Sequence, residues 1–436
     1  MATIGIDFGT SFCSASWINP ATGKPEAVRF KDTGSEKLPS IIAFSKSGKA
    51  FVGSGPYTQL ENLSVDPSLS EEEREMQLCN FYTGIKTHIR PGNKWMRPEK
   101  TYTDDDLIAL IFKKLKEEVE LSCTIDGIID KVVLTHPVQF EDWKKDILKH
   151  AAALAGFSKV KLLREPESAA LYAVKANLVP SNCRGLLVYD FGAGTFDVSY
   201  IQIESDGELH MPVQPQGDAH CGGDDIDRAL YEDWSKYIKA TKGKDIGLNS
   251  GELNIAFLYR CRRQKEQLSK GFLMDEIREY IPGLGSVRRP FAEDDFNRII
   301  EPIVDRTIAK VQAVLNEIKK KQLPLTHAVL IGGSSNLPLV KAKMQSTLGN
   351  NVKIITTGNY DIAVAVGALY SLNVKIEPLK KSEIKKPEPP KSTPAQTPAP
   401  PKPQPKECFC IYCGKKIMTS HKVCMYCGKP NYSYKP

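Results

Sequence analysis

The chain has 436 residues, 41% of them hydrophobic and 25% charged, enough for two or three compact domains with sizeable cores. No apolar run approaches the roughly 18 residues of a membrane span, and the opening MATIGIDFG enters a strand pattern without a basic leader, so a cytoplasmic protein is expected. The formal charge of +7 would invite a nucleic-acid reading, but residues 375–436 hold 13 Lys against 4 Glu, and the remainder holds 46 basic against 48 acidic residues, so the excess belongs to the tail.

The first predicted element lies in IGIDFGTSF (residues 4–12), a short apolar strand ending on Asp7 and a glycine turn. VYDFGAGTFD (188–197) repeats the pattern around Asp190. Such a turn can face backbone N–H groups toward an anion while the Asp holds a cation beside it. Two copies suggest two similar halves around one site. Residues 63–75 read as an exposed loop entering an acidic helix start. Buried strands are expected at 131–137, 185–192 and 327–333, and amphipathic helices at 141–155, 294–321 and 363–372. This alternation argues for an α/β architecture.

Residues 387–405 contain nine prolines and almost no large apolar side chain, so they predict an extended spacer. Beyond it, Cys410-x-x-Cys413 and Cys424-x-x-Cys427 are each followed by Gly, with ten residues between the pairs. Four thiolates at this spacing suit tetrahedral zinc, and the metal replaces the core that so short a segment cannot build. Redox-active or disulfide cysteines are the weaker alternative in a reducing compartment. Cys408 and His421 are spare ligands. The segment is similar to the small zinc ribbons that bind partners or cap the ends of bacterial proteins.

No G-x-x-x-x-G-K-[ST] motif is present, so bound phosphate would need two opposed glycine turns, Gly9-Thr10-Ser11 and Gly192-Ala193-Gly194-Thr195. Six further words fall in order: Gly84-Ile85-Lys86, LTHP with Pro137, REPESAA with Glu165, GDAHCGGDDID from Gly217, RCRRQKEQLS from Arg260, and LIGGSSNLP from Leu330. As a set, over residues 1–374, they resemble the nucleotide-binding domain of the heat-shock protein 70 (DnaK-type) chaperones, in the actin-like ATPase superfamily.

The resemblance implies a two-lobed actin-like (ribonuclease H-like) ATPase fold: lobe I over 1–182, lobe II over 183–362, and a helix returning to lobe I over 363–374. The linker (375–406) and zinc ribbon (407–436) would follow, in place of the family's peptide-binding domain. It also implies ATP or ADP with magnesium held near Asp7 and Asp190, with Asp197 close by. Lys86 matches the lysine that orients the attacking water, and Glu165 an acid near water and metal; with Asp190 and Thr195 they form the expected catalytic set. Gly222, Gly223, Gly332, Gly333 and Ser334 match turns closing over phosphate and adenosine, while Lys265, Ser269 and Asp361 complete the nucleotide contacts. Pro137 and Lys145 match positions that relay nucleotide state outward, Lys145 replacing Arg.

Several positions depart from the family pattern. Ala193 replaces the middle glycine of the second turn, Phe12 a tyrosine, and Asn336 an arginine. Arg262 stands where an acid bonds the ribose, and Glu266 where an arginine packs on adenine. The expected function is a slow ATPase whose cleft closure signals to a protein partner or client, with the ribbon recruiting it. Neither a membrane nor nucleic acid is an expected partner. A nucleotide-binding scaffold without useful turnover is the main alternative, ahead of a small-molecule kinase or a filament former.

Overall fold

A computed structural model describes residues 2–45, 47–65, 68, 77, 80–97, 100–125, 127–244, 255–270, 276–281, 284–356, 360–374, 376, 407–409 and 416–418. Two mixed sheets dominate it, and their strand orders correspond. In the first, Ala2–Asp7 lies parallel to Ile129–His136, which pairs with Lys159–Arg164; on its other side runs the antiparallel pair Phe12–Asn19 and Lys24–Ala27. In the second, Gly185–Phe191 lies parallel to His327–Ile331, which pairs with Lys353–Thr356; on its other side runs antiparallel Phe196–Ile203, followed by Leu209–His210. Each central strand therefore ends on its aspartate, Asp7 or Asp190, at the same place in its sheet. The mixed α/β fold is that of a two-lobed actin-like ATPase.

Each strand forms for a local reason. Ile4 and Ile6 are buried on one face of the first strand, while Leu186 to Tyr189 are buried on both faces of its counterpart, as a strand covered by helices requires. Helix Asp104–Ser122 starts with a capping box between Thr103 and Asp106. Helix Glu293–Lys320 buries Phe296, Ile300, Ile303, Val304, Thr307, Ile308, Val311, Val314 and Ile318, a stripe at helical period.

Each lobe has its own core, and a third cluster joins them. The joint is made by helices Glu165–Lys175 and Tyr360–Tyr370, whose Ala169, Ala170, Ala173, Ala363 and Ala368 are buried with Val133 of one sheet and Val188 of the other. Small residues let the two helices approach both sheets closely. One expectation is corrected here: residues 63–65 are not loop but the last turn of helix Ser54–Val65, because Leu60 and Leu63 are buried against Ile41 and Phe81.

At the tail, Glu407–Phe409 pairs antiparallel with Lys416–Met418. Cys410, Cys413, His421, Cys424 and Cys427 lie outside the described residues. No helix among the described residues is long and apolar enough to cross a membrane.

Candidate functional site

The two central strands deliver their turns to one cleft of about 520 Å³ between the lobes. Asp7, Gly9, Thr10, Ser11, Lys86 and Glu165 line it from the first lobe; Asp190, Gly192, Ala193, Thr195, Lys265, Ser269, Gly332, Gly333 and Ser334 line it from the second. The turns meet closely. A side-chain carbon added to Gly194 would sit 2.5 Å from Thr87 Cγ2 and 3.2 Å from Thr10 Cγ2, so a larger residue there would have to push these methyl groups of the first lobe aside. Ala193 tolerates its Cβ because its backbone is not among the positive-φ positions, which for described non-glycine residues are Asn177 and Gln322 alone.

Gly222 and Gly223 stack beneath the second turn. The amides of Gly223 and Asp224 donate to Gly192 O and Ala193 O, at 3.0 and 2.7 Å. Ser334 Oγ donates to Gly192 O at 2.9 Å, which ties the loop after His327–Ile331 to the same turn. The first turn is held by Ser40 Oγ, donating to Gly9 O at 2.9 Å, and Thr135 Oγ1 orients Asp7 by donating to its Oδ1 at 3.1 Å.

The charged centre is buried. Lys86 Nζ lies 2.8 Å from Glu165 Oε1, and each side chain is only 7% exposed. Burial alone would push the Lys86 ammonium down, but Glu165, Asp7 and Asp190 together outweigh it and hold the lysine charged. Burial pushes Glu165 up, with the Lys86 contact opposing. It also pushes up Asp190, which Glu165 raises further, and Asp197, which Asp190 raises further. Asp190 and Asp197 are directly opposite in the strand ladder and so share one face.

Four carboxylates thus crowd one lysine, an excess of hard oxygen donors that a divalent cation would relieve. No three of the described His, Cys, Asp or Glu side chains converge as a metal ligand set. The strand-end carboxylates of Asp7 and Asp190 are hard oxygen donors of the kind magnesium takes, with water and phosphate oxygens completing its shell.

Further lining from the second lobe is built on helix Ile255–Ser269. Arg262 pairs with Asp224 and, at 3.0 Å, with Asp227; Lys265 pairs with Asp227 at 2.7 Å and donates to Gly223 O at 2.8 Å. Asp227, 2% exposed, is the buried hub of this network. Sequence reading missed Asp224 and Asp227. Their signal was the spacing D-D-I-D after the two glycines, which puts both carboxylates one turn apart on the helix facing RCRRQK. Lys37 and Lys270 also line the cleft unanticipated.

Gly194, Asp197, Gly222 and Gly223 stand behind the lining as support. Asp361 is in the first turn of Tyr360–Tyr370, with its side chain outside what the structure describes. Lys145 is paired with Asp142 at 3.3 Å on helix Asp142–Leu154, away from the cleft lining.

Residues 3–384 match the family model described as Hsp70 protein. The chain is 29% identical over 370 residues to the chaperone protein DnaK of Thermosipho africanus, covering 84% of this chain and 58% of that one. It is 27% identical over 394 residues to heat shock 70 kDa protein BIP3 of Oryza sativa, covering 85% and 56%. It is 28% identical over 382 residues to the mitochondrial-type heat shock protein 70 of Encephalitozoon hellem, covering 84% and 62%. The chain thus spans less than two thirds of the length of these relatives. With well over half of the chain inside the family model, the chain belongs to the Hsp70 protein family.

Proposed function

We propose that the chain binds ATP with magnesium in the interlobe cleft and hydrolyses it slowly. The observation that carries this reading is the convergence of both glycine turns on the buried Lys86–Glu165 pair. Backbone N–H groups of 9–11 and 192–195 would face the phosphate oxygens, supplemented by the Thr10, Ser11 and Thr195 hydroxyls. Magnesium held near Asp7 and Asp190 would neutralise charge on the phosphates.

Lys86 would orient water against the γ-phosphorus and stabilise charge spreading over the equatorial oxygens. The water oxygen bonds to phosphorus as the bridging P–O bond breaks, leaving ADP, inorganic phosphate and a proton released to solvent. Glu165 keeps Lys86 charged and fixed in place. Single-turnover release of γ-phosphate by the full chain tests the reading. Slow release above the uncatalysed rate is expected; its complete lack would refute turnover.

Cleft closure would alter the surfaces of both lobes, and a protein partner or client would read that change. The tail would supply a recruiting module, with zinc held by Cys410, Cys413, Cys424 and Cys427. Support for it comes from the ligand spacing and from the hairpin strands that flank the first pair. Metal analysis of the purified chain should find one zinc, and a metal-free tail would contradict the module. A nucleotide-binding scaffold without turnover is the second reading, favoured by the Arg262 and Glu266 exchange in the base pocket.

A further inference from the structure

We infer that Asp104 is a positioning residue for Lys86, holding the segment that carries the lysine through three hydrogen bonds to one buried carboxylate. The inference rests on the reading of Lys86 as the group that acts on the γ-phosphate, and it adds to that reading a residue outside the cleft lining.

Lys86 stands on Ile85–His88, a single helical turn of four residues. A helix this short does not persist on its own hydrogen bonds, so its shape is imposed from its flanks. On the leading side, Gly84 adopts a φ of 64°, in the left-handed region that favours glycine. Its carbonyl accepts from Thr87 Oγ1 at 2.9 Å and from His88 Nδ1 at 2.7 Å. Ile85 and Ile89 anchor the turn in the core of the first lobe. On the trailing side the chain is tied to Asp104. The amide of Arg90 donates to Asp104 Oδ2 at 2.8 Å, while Asn93 Nδ2 and Trp95 Nε1 donate to Oδ1 at 2.9 and 2.6 Å. Both carboxylate oxygens are thus used, and every one of these donors follows Lys86 within nine residues.

Asp104 is 2% exposed and opens helix Asp104–Ser122, so its own backbone is fixed by the helix and by the capping box before it. Burial pushes its carboxyl up, and the three donors offset that only in part. The ionised form therefore costs the fold stability, and what it supplies is geometry: residues 90–95 are held at one distance from the helix. Asp104 does not line the cleft, so it reaches the reaction only through the segment it holds, whose cleft residue is Lys86. A displacement of about 1 Å at a reacting group can cost about 100-fold in rate, so even a partly loosened tie should be measurable.

A double-mutant cycle on the full chain tests this, reading single-turnover γ-phosphate release at saturating magnesium-ATP beside the Kd. Asp104→Asn turns an amide donor toward the Arg90 N–H and should slow release about tenfold, with the Kd within about twofold of wild type. Asn93→Ala removes one donor from a half-buried position, leaves the core intact and should slow release about threefold. Both losses should vanish in a Lys86→Ala background, because a residue acting through Lys86 then has nothing to position. Wild-type release rates in both single variants, or losses that persist undiminished beside Lys86→Ala, would overturn the inference. A Lys86→Ala chain that releases phosphate at the wild-type rate would instead overturn the catalytic reading of Lys86, and this inference with it.

Discussion

Replacing Lys86 with alanine is expected to slow single-turnover release of γ-phosphate by about 100-fold or more, the usual cost of losing a preorganised charge stabiliser. Nucleotide binding should survive, because the glycine turns and the magnesium-side carboxylates are untouched. The size of the effect follows from burial. Lys86 is the cation that Glu165, Asp7 and Asp190 jointly surround, and its side chain is almost sealed from solvent. Its removal leaves the carboxylates without their common partner and the γ-phosphate end of the cleft without its donor. Equal rates in wild type and Lys86→Ala, with binding intact, would favour the scaffold reading over the enzyme.

Gly367→Ala is expected to lower thermal stability by about 3 kcal/mol, at the upper end for overpacking. Gly367 sits on helix Tyr360–Tyr370 where it crosses Glu165–Lys175, and an added Cβ would lie 1.8 Å from Ser168 O. That oxygen is backbone in a helix, so it cannot swing aside; the helices must separate. Ser168 Oγ also donates to Val364 O across the same junction, which fixes the spacing further. Glu165 opens the displaced helix, three residues before Ser168, so turnover should fall together with stability. Differential scanning calorimetry and single-turnover kinetics on the one variant check both. An unchanged melting temperature would contradict the packing argument.

Much of this site was legible in the residues. Each Asp-Phe-Gly word ends a buried strand, and an aspartate there followed by glycine has few local explanations when it occurs twice. The correspondence of the two sheets needs only this duplication and the strand–helix alternation. Less was legible where the partner is remote in sequence. Asp227 is 35 residues from Arg262, and nothing in either word announces that one balances the other. The departures at Arg262 and Glu266 read as an isolated exchange of sign, whereas Arg262 is neutralised in place and Glu266 is left facing the cleft. The role of Gly367 was equally hidden, since a glycine inside a helix looks only like a weak helix former until the crossing helix is known.

The central claim is that turns from both lobes hold one nucleotide. Calorimetric titration of the full chain with magnesium-ATP tests it most directly. One site per chain is predicted, together with a melting temperature that rises with nucleotide, by about 2.7 kcal/mol of stability at a hundredfold excess over Kd. No binding heat and no thermal shift up to millimolar nucleotide would contradict it.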